Sequence, residues 1–297
     1  SDRVTILRDG KKVKDLVTAD TNPQELSNYM IGRQIDSGYV DRNTAGTQNA
    51  LVLHDITIKK NRKKPALDHI DLEVRKGEIL GIAGVDGNGQ KELAEVIAGI
   101  RKPTSGTMEF LGSDITADKV KARFKKGISY ISDDRHADGL VLDMSLADNM
   151  ILRQYDEYPY SKAGFFNRRH IKEVSMKAIK DYRIKTSGKS TSDTIVKLMS
   201  GGNQQKIILA REITEKANLI IANQPTRGLD IGATEFVRKT LLDQRNLGKS
   251  VLLISADLEE IMQLSDRVAV MFAGKIMGVL EHDEITLEKL GLLMGGI

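Results

Sequence analysis

A short apolar run, Ile79-Leu80-Gly81-Ile82-Ala83, opened by Glu78, passes directly into the loop Gly84-Val85-Asp86-Gly87-Asn88-Gly89. A run without polar alternation marks a strand covered on both faces, as in a parallel sheet flanked by helices. Beyond the loop, Leu93, Val96 and Ile97 recur at helical spacing up to Gly99. Strand, glycine loop and helix in that order constrain the chain strongly. The glycines let backbone N–H groups turn toward one point, where the helix N-terminus adds its positive dipole end. The expected product is an α/β fold with an anion-binding turn at a strand's carboxyl end.

The loop is incomplete as a phosphate site. Gly84 and Gly89 keep the spacing of G-x-x-x-x-G-K-[ST], with Gly87 and Asn88 between them, but Gln90 stands at the lysine position and Lys91 at the hydroxyl position. Adjacent helical residues point about 100° apart, so Lys91 is poorly placed to replace its neighbour. Gln90 offers a neutral hydrogen bond instead of a charge-assisted one worth about 1.5–3 kcal/mol. Without Ser or Thr at 91, a magnesium ligand is missing too. Taken alone, the loop is equally a tight strand-to-helix turn with no ligand.

The 297 residues, 40% hydrophobic and 29% charged, suffice for one full α/β domain with chain to spare. A net charge of +4 fits a solvated mixed-charge surface better than a nucleic-acid site. The one basic cluster, Lys59-Lys60-Asn61-Arg62-Lys63-Lys64, falls between two strand-like segments and reads as an exposed hairpin loop. Absence of cysteine excludes a disulfide framework and suits the cytosol. No apolar run approaches the roughly 20 residues of a membrane span. There is no signal peptide, and the opening on Ser1 rather than Met points to a piece of something longer.

The beginning repeats the end. Ser1-Asp2-Arg3-Val4 recurs as Ser265-Asp266-Arg267-Val268, and at the same offset of 264 Gly10, Lys11, Leu16, Leu26, Met30 and Gly32 match Gly274, Lys275, Leu280, Leu290, Met294 and Gly296. These 10 identities over 33 ungapped positions compare with about two by chance. Such a period signals tandem domains. Residues 1–35 are expected to be the C-terminal tail of a preceding copy, residues 36–48 a polar linker, and 49–297 a second domain. In that domain, Leu51–Ile58 and Leu67–Val74 read as strands. From Leu140 to Lys197 helical periodicity dominates, with a helix start at Ser145 and a helix from Arg169 to Tyr182, so about 140–200 reads as an inserted helical subdomain. The polar stretch Ser187–Ser192 reads as a loop. Helix from Gly202, strand to Ala222, helix from Asp230, strand from Ser250, a short helix at Leu258 and a closing strand pair at Val268–Leu280 complete the order.

Three further motifs follow the glycine loop: Ser200-Gly201-Gly202-Asn203-Gln204-Gln205-Lys206, Pro225-Thr226-Arg227-Gly228-Leu229-Asp230 and Ile254-Ser255-Ala256-Asp257. With Asp133-Asp134-Arg135-His136-Ala137-Asp138-Gly139-Leu140 they resemble, in order, the signature, D-loop, switch and Q-loop regions of ABC transporter ATP-binding domains. The resemblance is closest to tandem sugar and nucleoside importers, the nucleoside branch above all. It implies a P-loop NTPase (RecA-like) core with an antiparallel β subdomain and the helical insert. Where the family carries the magnesium acid, the catalytic glutamate and the switch histidine, this chain has Asn223, Gln224 and Ala256; Asp133 replaces the Q-loop glutamine, and no aromatic in Leu51–Lys60 offers a stack for adenine. Amides neither carry the charge a metal prefers nor accept a proton, and loss of a general base costs about 10²–10⁴-fold.

ABC domains resemble one another in sandwiching ATP between the P-loop of one and the signature of the other. On that analogy Ser200, Gly201, Gly202, Asn203 and Gln204 complete an ATP site on the upstream domain, with Asp230 in the D-loop. The chain's own site binds ATP weakly or without hydrolysis, and this half alone is catalytically inactive. Magnesium accompanies ATP at the partner site. The implied partners are that upstream domain, two membrane-spanning permease subunits and, indirectly, an extracytoplasmic solute-binding protein, at the cytoplasmic face of the cell membrane. The groove for the permease falls near Asp133–Phe166. Phe165-Phe166, in a chain 4% aromatic, is a contact candidate there, with a buried core pair the favoured reading. Three alternatives stand beside this: a fully active ATPase with unorthodox residues, a structural domain that never sees nucleotide, and a nucleic-acid-associated ABC protein. Against the last, only 115 residues separate Gly84 from Ser200, too few for a long coiled coil, and residues 36–48 hold one Arg and two Asp, which is no basic linker.

Overall fold

The computed structural model describes residues 1–8, 11–22, 25, 26, 29, 46–59, 65–186 and 191–297. Most of the linker (36–45), the basic cluster from Lys60 to Lys64 and part of the polar loop (187–190) lie outside the described residues.

The strands in chain order are β1 (Arg3–Arg8), β2 (Lys11–Val17), β3 (Asn49–Ile58), β4 (Leu67–Arg75), β5 (Ile79–Ala83), β6 (Ser105–Phe110), β7 (Ser113–Asp114), β8 (Ile128–Ile131), β9 (Ser161–Lys162), β10 (Phe165–Phe166), β11 (Leu219–Asn223), β12 (Ser250–Ile254), β13 (Arg267–Phe272) and β14 (Lys275–Glu281). The helices used below are α1 (Gln90–Ala98), α2 (Val120–Lys126), α3 (Leu146–Met150), α4 (Arg168–Asp181), α5 (Gly201–Glu212), α6 (Ile231–Asn246), α7 (Leu258–Leu264) and α8 (Leu287–Met294).

A six-stranded sheet in the order β14-β13-β5-β12-β11-β8 forms the centre. Its strands run parallel except for the closing pair β13–β14. Every residue of β5, β11 and β12 is buried, as the unalternating runs require. Alternate side chains serve opposite layers. Leu219 and Ile221 join Leu80, Leu93, Ile97 and the apolar face of β3 and β4 in one core, while Ile220 and Ala222 join Ile79, Ile207, Ile208, Val237 and Leu241 in the other. A separate antiparallel sheet, β4-β3-β6-β7, closes the first core. The helical segment carries its own small cluster of Ala147, Ile151 and Ile171 with Tyr160.

The two hairpins at the ends of the chain are built alike. β1–β2 and β13–β14 begin and end at positions 264 apart (Arg3 and Arg267, Val17 and Glu281), and so do the 3-10 turns behind them, Thr18–Asp20 and His282–Glu284. Both pairs slip register at the equivalent place, between Ile6 and Leu7 and between Val270 and Met271.

Sequence alone favours a buried core pair for Phe165-Phe166. In the structure the pair is on the surface, Phe165 81% and Phe166 45% exposed. The reason is local: β10 pairs with the equally short β9, and the Arg168 guanidinium lies 5.3 Å from the Phe166 ring centroid.

Candidate functional site

Asp133, Asn223, Gln224, Ala256 and the glycine loop all lie at or just past the carboxyl ends of parallel strands, where open α/β sheets place their ligands. The loop needs its glycines. Gly84, Gly87 and Gly89 have φ of 155°, 90° and 108°. A Cβ at Gly89 would sit 2.6 Å from the Ala66 carbonyl oxygen. The turn between β13 and β14 fastens the loop: Ala273 N donates to Asn88 Oδ1 at 2.8 Å and Gly274 N to Asn88 O at 3.0 Å. Gln90, 7% exposed, folds back over it. Its Nε2 donates to Val85 O at 3.0 Å and its Oε1 accepts the Asn88 N–H at 3.1 Å. A side-chain acceptor thus stands on an N–H that a phosphate oxygen would use.

Lys91 turns the other way, as the helical angle requires. Its Nζ donates to Asp133 Oδ2 at 3.2 Å. Burial pulls the Lys91 pKa down, but the hydrogen bond and charge of Asp133 more than offset this and leave it raised. Asn223, 2% exposed, lies beside Tyr130, whose hydroxyl pKa is pushed up mainly by burial. Among the described residues, no group of three or more His, Cys, Asp or Glu side chains is placed to hold a metal ion. A carboxylate at 133 with an ammonium on it, and amides at 223 and 224, do not fit magnesium.

Gln224 sits in the left-handed region at φ 49°, held by its N–H to Ile254 O at 2.8 Å. Its Oε1 accepts the Ala256 N–H at 3.2 Å. Residues 224 and 256, the expected positions of the glutamate and the histidine, therefore bond to each other.

The signature turn has a separate set of partners. Ser200 is the N-cap of α5, yet no side chain caps the first helical turn. Ser200 Oγ accepts from Asn203 Nδ2 at 2.9 Å, and Asn203 Oδ1 accepts the Lys185 N–H at 2.8 Å. Gln204 points inward, bonded to His136 at 2.9 Å and to Val196 O at 3.1 Å. Asp230 caps α6 by accepting the Ala233 N–H at 2.8 Å, and a Cβ on Gly202 would be 3.5 Å from its Oδ2. Sequence gave Arg135 no role of its own. In the structure its Nη2 donates to Arg227 O at 2.8 Å, and a Cβ on Gly201 would lie 3.8 Å from its Cζ. A guanidinium and the open N-terminus of α5 thus share one patch of positive potential. Only its place in the Asp133–Leu140 segment pointed toward it.

The ABC transporter family model matches residues 67–227. The guanosine import ATP-binding protein NupO of Bacillus subtilis is 44% identical over 99% of this chain and 57% of its own length. The nucleoside import ATP-binding protein NupA of Lactococcus lactis is 39% identical over 100% of the chain and 58% of its own length. The ribose import ATP-binding protein RbsA of Clostridium tetani is 37% identical over 97% of the chain and 55% of its own length. The chain thus spans little more than half the length of these relatives. Among solved structures, a nucleotide-free ATP-binding cassette from an ABC transporter superposes with TM-score 0.69 at 22% identity, covering 82% of this chain and 96% of that one. A dimeric cassette in a post-hydrolysis state, bound to ADP and Pi, gives 0.66 at 20% identity, covering 78% and 98%. With its glycine loop, signature turn and D-loop region in that family's order, and the family model spanning more than half of it, the chain belongs to the ABC transporter family.

Proposed function

We propose that this chain is the second, degenerate nucleotide-binding half of a tandem ABC importer ATPase that energises uptake of nucleosides or sugars. One contrast carries the reading. The first turn of α5 is open and lies beside a guanidinium, while the chain's own phosphate loop is closed over by Gln90. The open turn suits the γ-phosphate of a nucleotide bound on another domain; the closed loop lacks what hydrolysis needs.

In this reading Ser200, Gly201, Gly202 and Asn203 present backbone N–H groups across a head-to-tail interface. Gln204 holds the turn from inside, and Asp230 fixes the neighbouring loop. ATP with magnesium occupies the partner's loop. The chain's own site lacks a carboxylate at 223 and 224 and a histidine at 256, so it does not hydrolyse.

The upstream half is proposed from the repeat. In the second copy Asp266 accepts from Ile79 N at 2.8 Å and from Arg245 at 2.7 Å, and Arg267 donates to Glu78 at 2.8 Å. Asp2 and Arg3 carry the same residues in exposed positions. Their chemistry is accounted for by a β5-like strand and an α6-like helix in a preceding domain. Two permease subunits, an extracytoplasmic solute-binding protein acting through them, and the cytoplasmic face of the membrane complete the assembly. Among the described residues no helix is long and apolar enough to cross a membrane. The nucleoside and ribose import names of the relatives support that substrate range.

The test uses the complete polypeptide with its membrane subunits in sealed vesicles. Gly201→Asp places a carboxylate against the γ-phosphate position and should abolish ATP-driven uptake while assembly, read by co-purification, persists. Unimpaired uptake would falsify the role of the signature turn.

A further inference from the structure

Asp133 Oδ1, just past the carboxyl end of β8, is buried without a hydrogen-bond partner, and Asn223, at the end of β11, lies beside the Tyr130 hydroxyl. These strands are neighbours, with Ile131 opposite Ala222, so both residues leave the same end of the sheet. Unsatisfied buried groups are costly and mark places where a ligand or water belongs. Lys91, on the first turn of α1, reaches the same point and sets its Nζ 3.2 Å from Asp133 Oδ2. A metal-dependent phosphate site has a hydroxyl and an acid at positions 91 and 223 to hold magnesium. Here the first carries a cation and the second a neutral amide.

We propose that this pocket takes a nucleoside polyphosphate without a divalent cation, the Lys91 ammonium standing in the metal's place between Asp133 and the phosphates. This rests on the loop being a degenerate phosphate site. An ammonium has three donors and Asp133 Oδ2 takes one of them, which leaves two for phosphate oxygens. A divalent cation brought to the same spot meets a like charge and too few oxygens. The glycine loop and the start of α1 supply the remaining N–H groups. Entry of a phosphate displaces the Gln90 carboxamide oxygen from the Asn88 N–H, and the freed Nε2 becomes a further donor to the ligand. The nucleotide then holds the pocket in one shape without being turned over.

The test is equilibrium dialysis of the 297-residue chain against labelled ADP and ATP, once in EDTA and once in excess magnesium. Affinity in EDTA should equal or exceed that in magnesium. Binding about tenfold tighter with magnesium overturns the proposal, and so does no binding in either condition at millimolar nucleotide. Neither result touches the signature reading, which is measured by Gly201→Asp in the full assembly. Lys91→Met should lose about tenfold or more of the EDTA affinity. The Lys91 side chain is half exposed and the variant should melt like the parent, so unchanged affinity overturns the proposal as well. The double variant K91S/N223D should invert the dependence and bind only with magnesium. If it binds equally in EDTA, Lys91 is not the surrogate cation.

Discussion

The Gln224 carboxamide oxygen accepts the backbone N–H of Ala256 at 3.2 Å. In the proposed reading these are the positions of the base and the switch residue, here joined by a neutral hydrogen bond. Restoring one of them restores little. Gln224→Glu, alone or with Ala256→His, should leave phosphate release from ATP within about twofold of background, because Lys91 and Asn223 still offer no metal site. A gain approaching the 10²–10⁴-fold worth of a general base would show that the other parts are present after all.

Arg123 is 1% exposed and ties off the end of α1. Its guanidinium donates to the carbonyls of Val96 at 2.6 Å, Ile97 at 2.8 Å, Ile115 at 2.8 Å and Asp118 at 3.0 Å. Arg123→Met fills the volume but leaves those acceptors bare. A loss of about 3 kcal/mol in denaturant unfolding is expected. A loss under about 1 kcal/mol would mean that water satisfies them.

Gly87 and Gly89 separate two costs that are usually mixed. Both have positive φ, but a Cβ on Gly87 meets nothing within 4 Å, whereas one on Gly89 meets the Ala66 carbonyl oxygen at 2.6 Å. Gly87→Ala should cost about 1 kcal/mol of backbone strain. Gly89→Ala should cost at least about 2 kcal/mol more, since backbone must move. Equal melting temperatures for the two would show the loop to be pliant.

On the β subdomain, Asp55 and His69 both adopt φ 54° and bond to each other through His69 Nδ1. That hydrogen bond, followed by the Asp55 charge, raises the His69 pKa above its ordinary 6.5. Because the folded value is the higher one, the pair stabilises the fold below pH 6.5, and the gain disappears as pH rises through the raised value. NMR titration should place His69 above 6.5, and Asp55→Asn should bring it back toward that value.

The parts of the site that sequence shows are those built from neighbours in the chain. The strand, glycine loop and α1 are contiguous, and so are Asp230 and the helix it caps. What sequence hides depends on distant contacts. Arg135 reaches Arg227 across 92 positions, and no spacing rule reports that. The backward fold of Gln90 follows from having both a donor and an acceptor, which a motif pattern registers only as a missing lysine. β6 alternates exposed Thr107 and Glu109 with buried Met108 and Phe110, but that signal spans only four residues; pairing with β3 makes it a strand. Phe165-Phe166 looked like core on hydrophobicity alone, but a two-residue strand with its neighbour in β9 brings no layer to cover it.

The hairpins 264 residues apart carry the same dislocation in register, though few of their side chains agree. The same backbone path is therefore compatible with two different sets of side chains. The glycine loop likewise makes its turn with Gln90 and Lys91 at the start of α1. For protein engineering this makes the cassette a ready mount. Substitutions at 90, 91, 223, 224 and 256 are expected to leave the sheet and its bulged closing hairpin in place, which circular dichroism and melting of such variants would check.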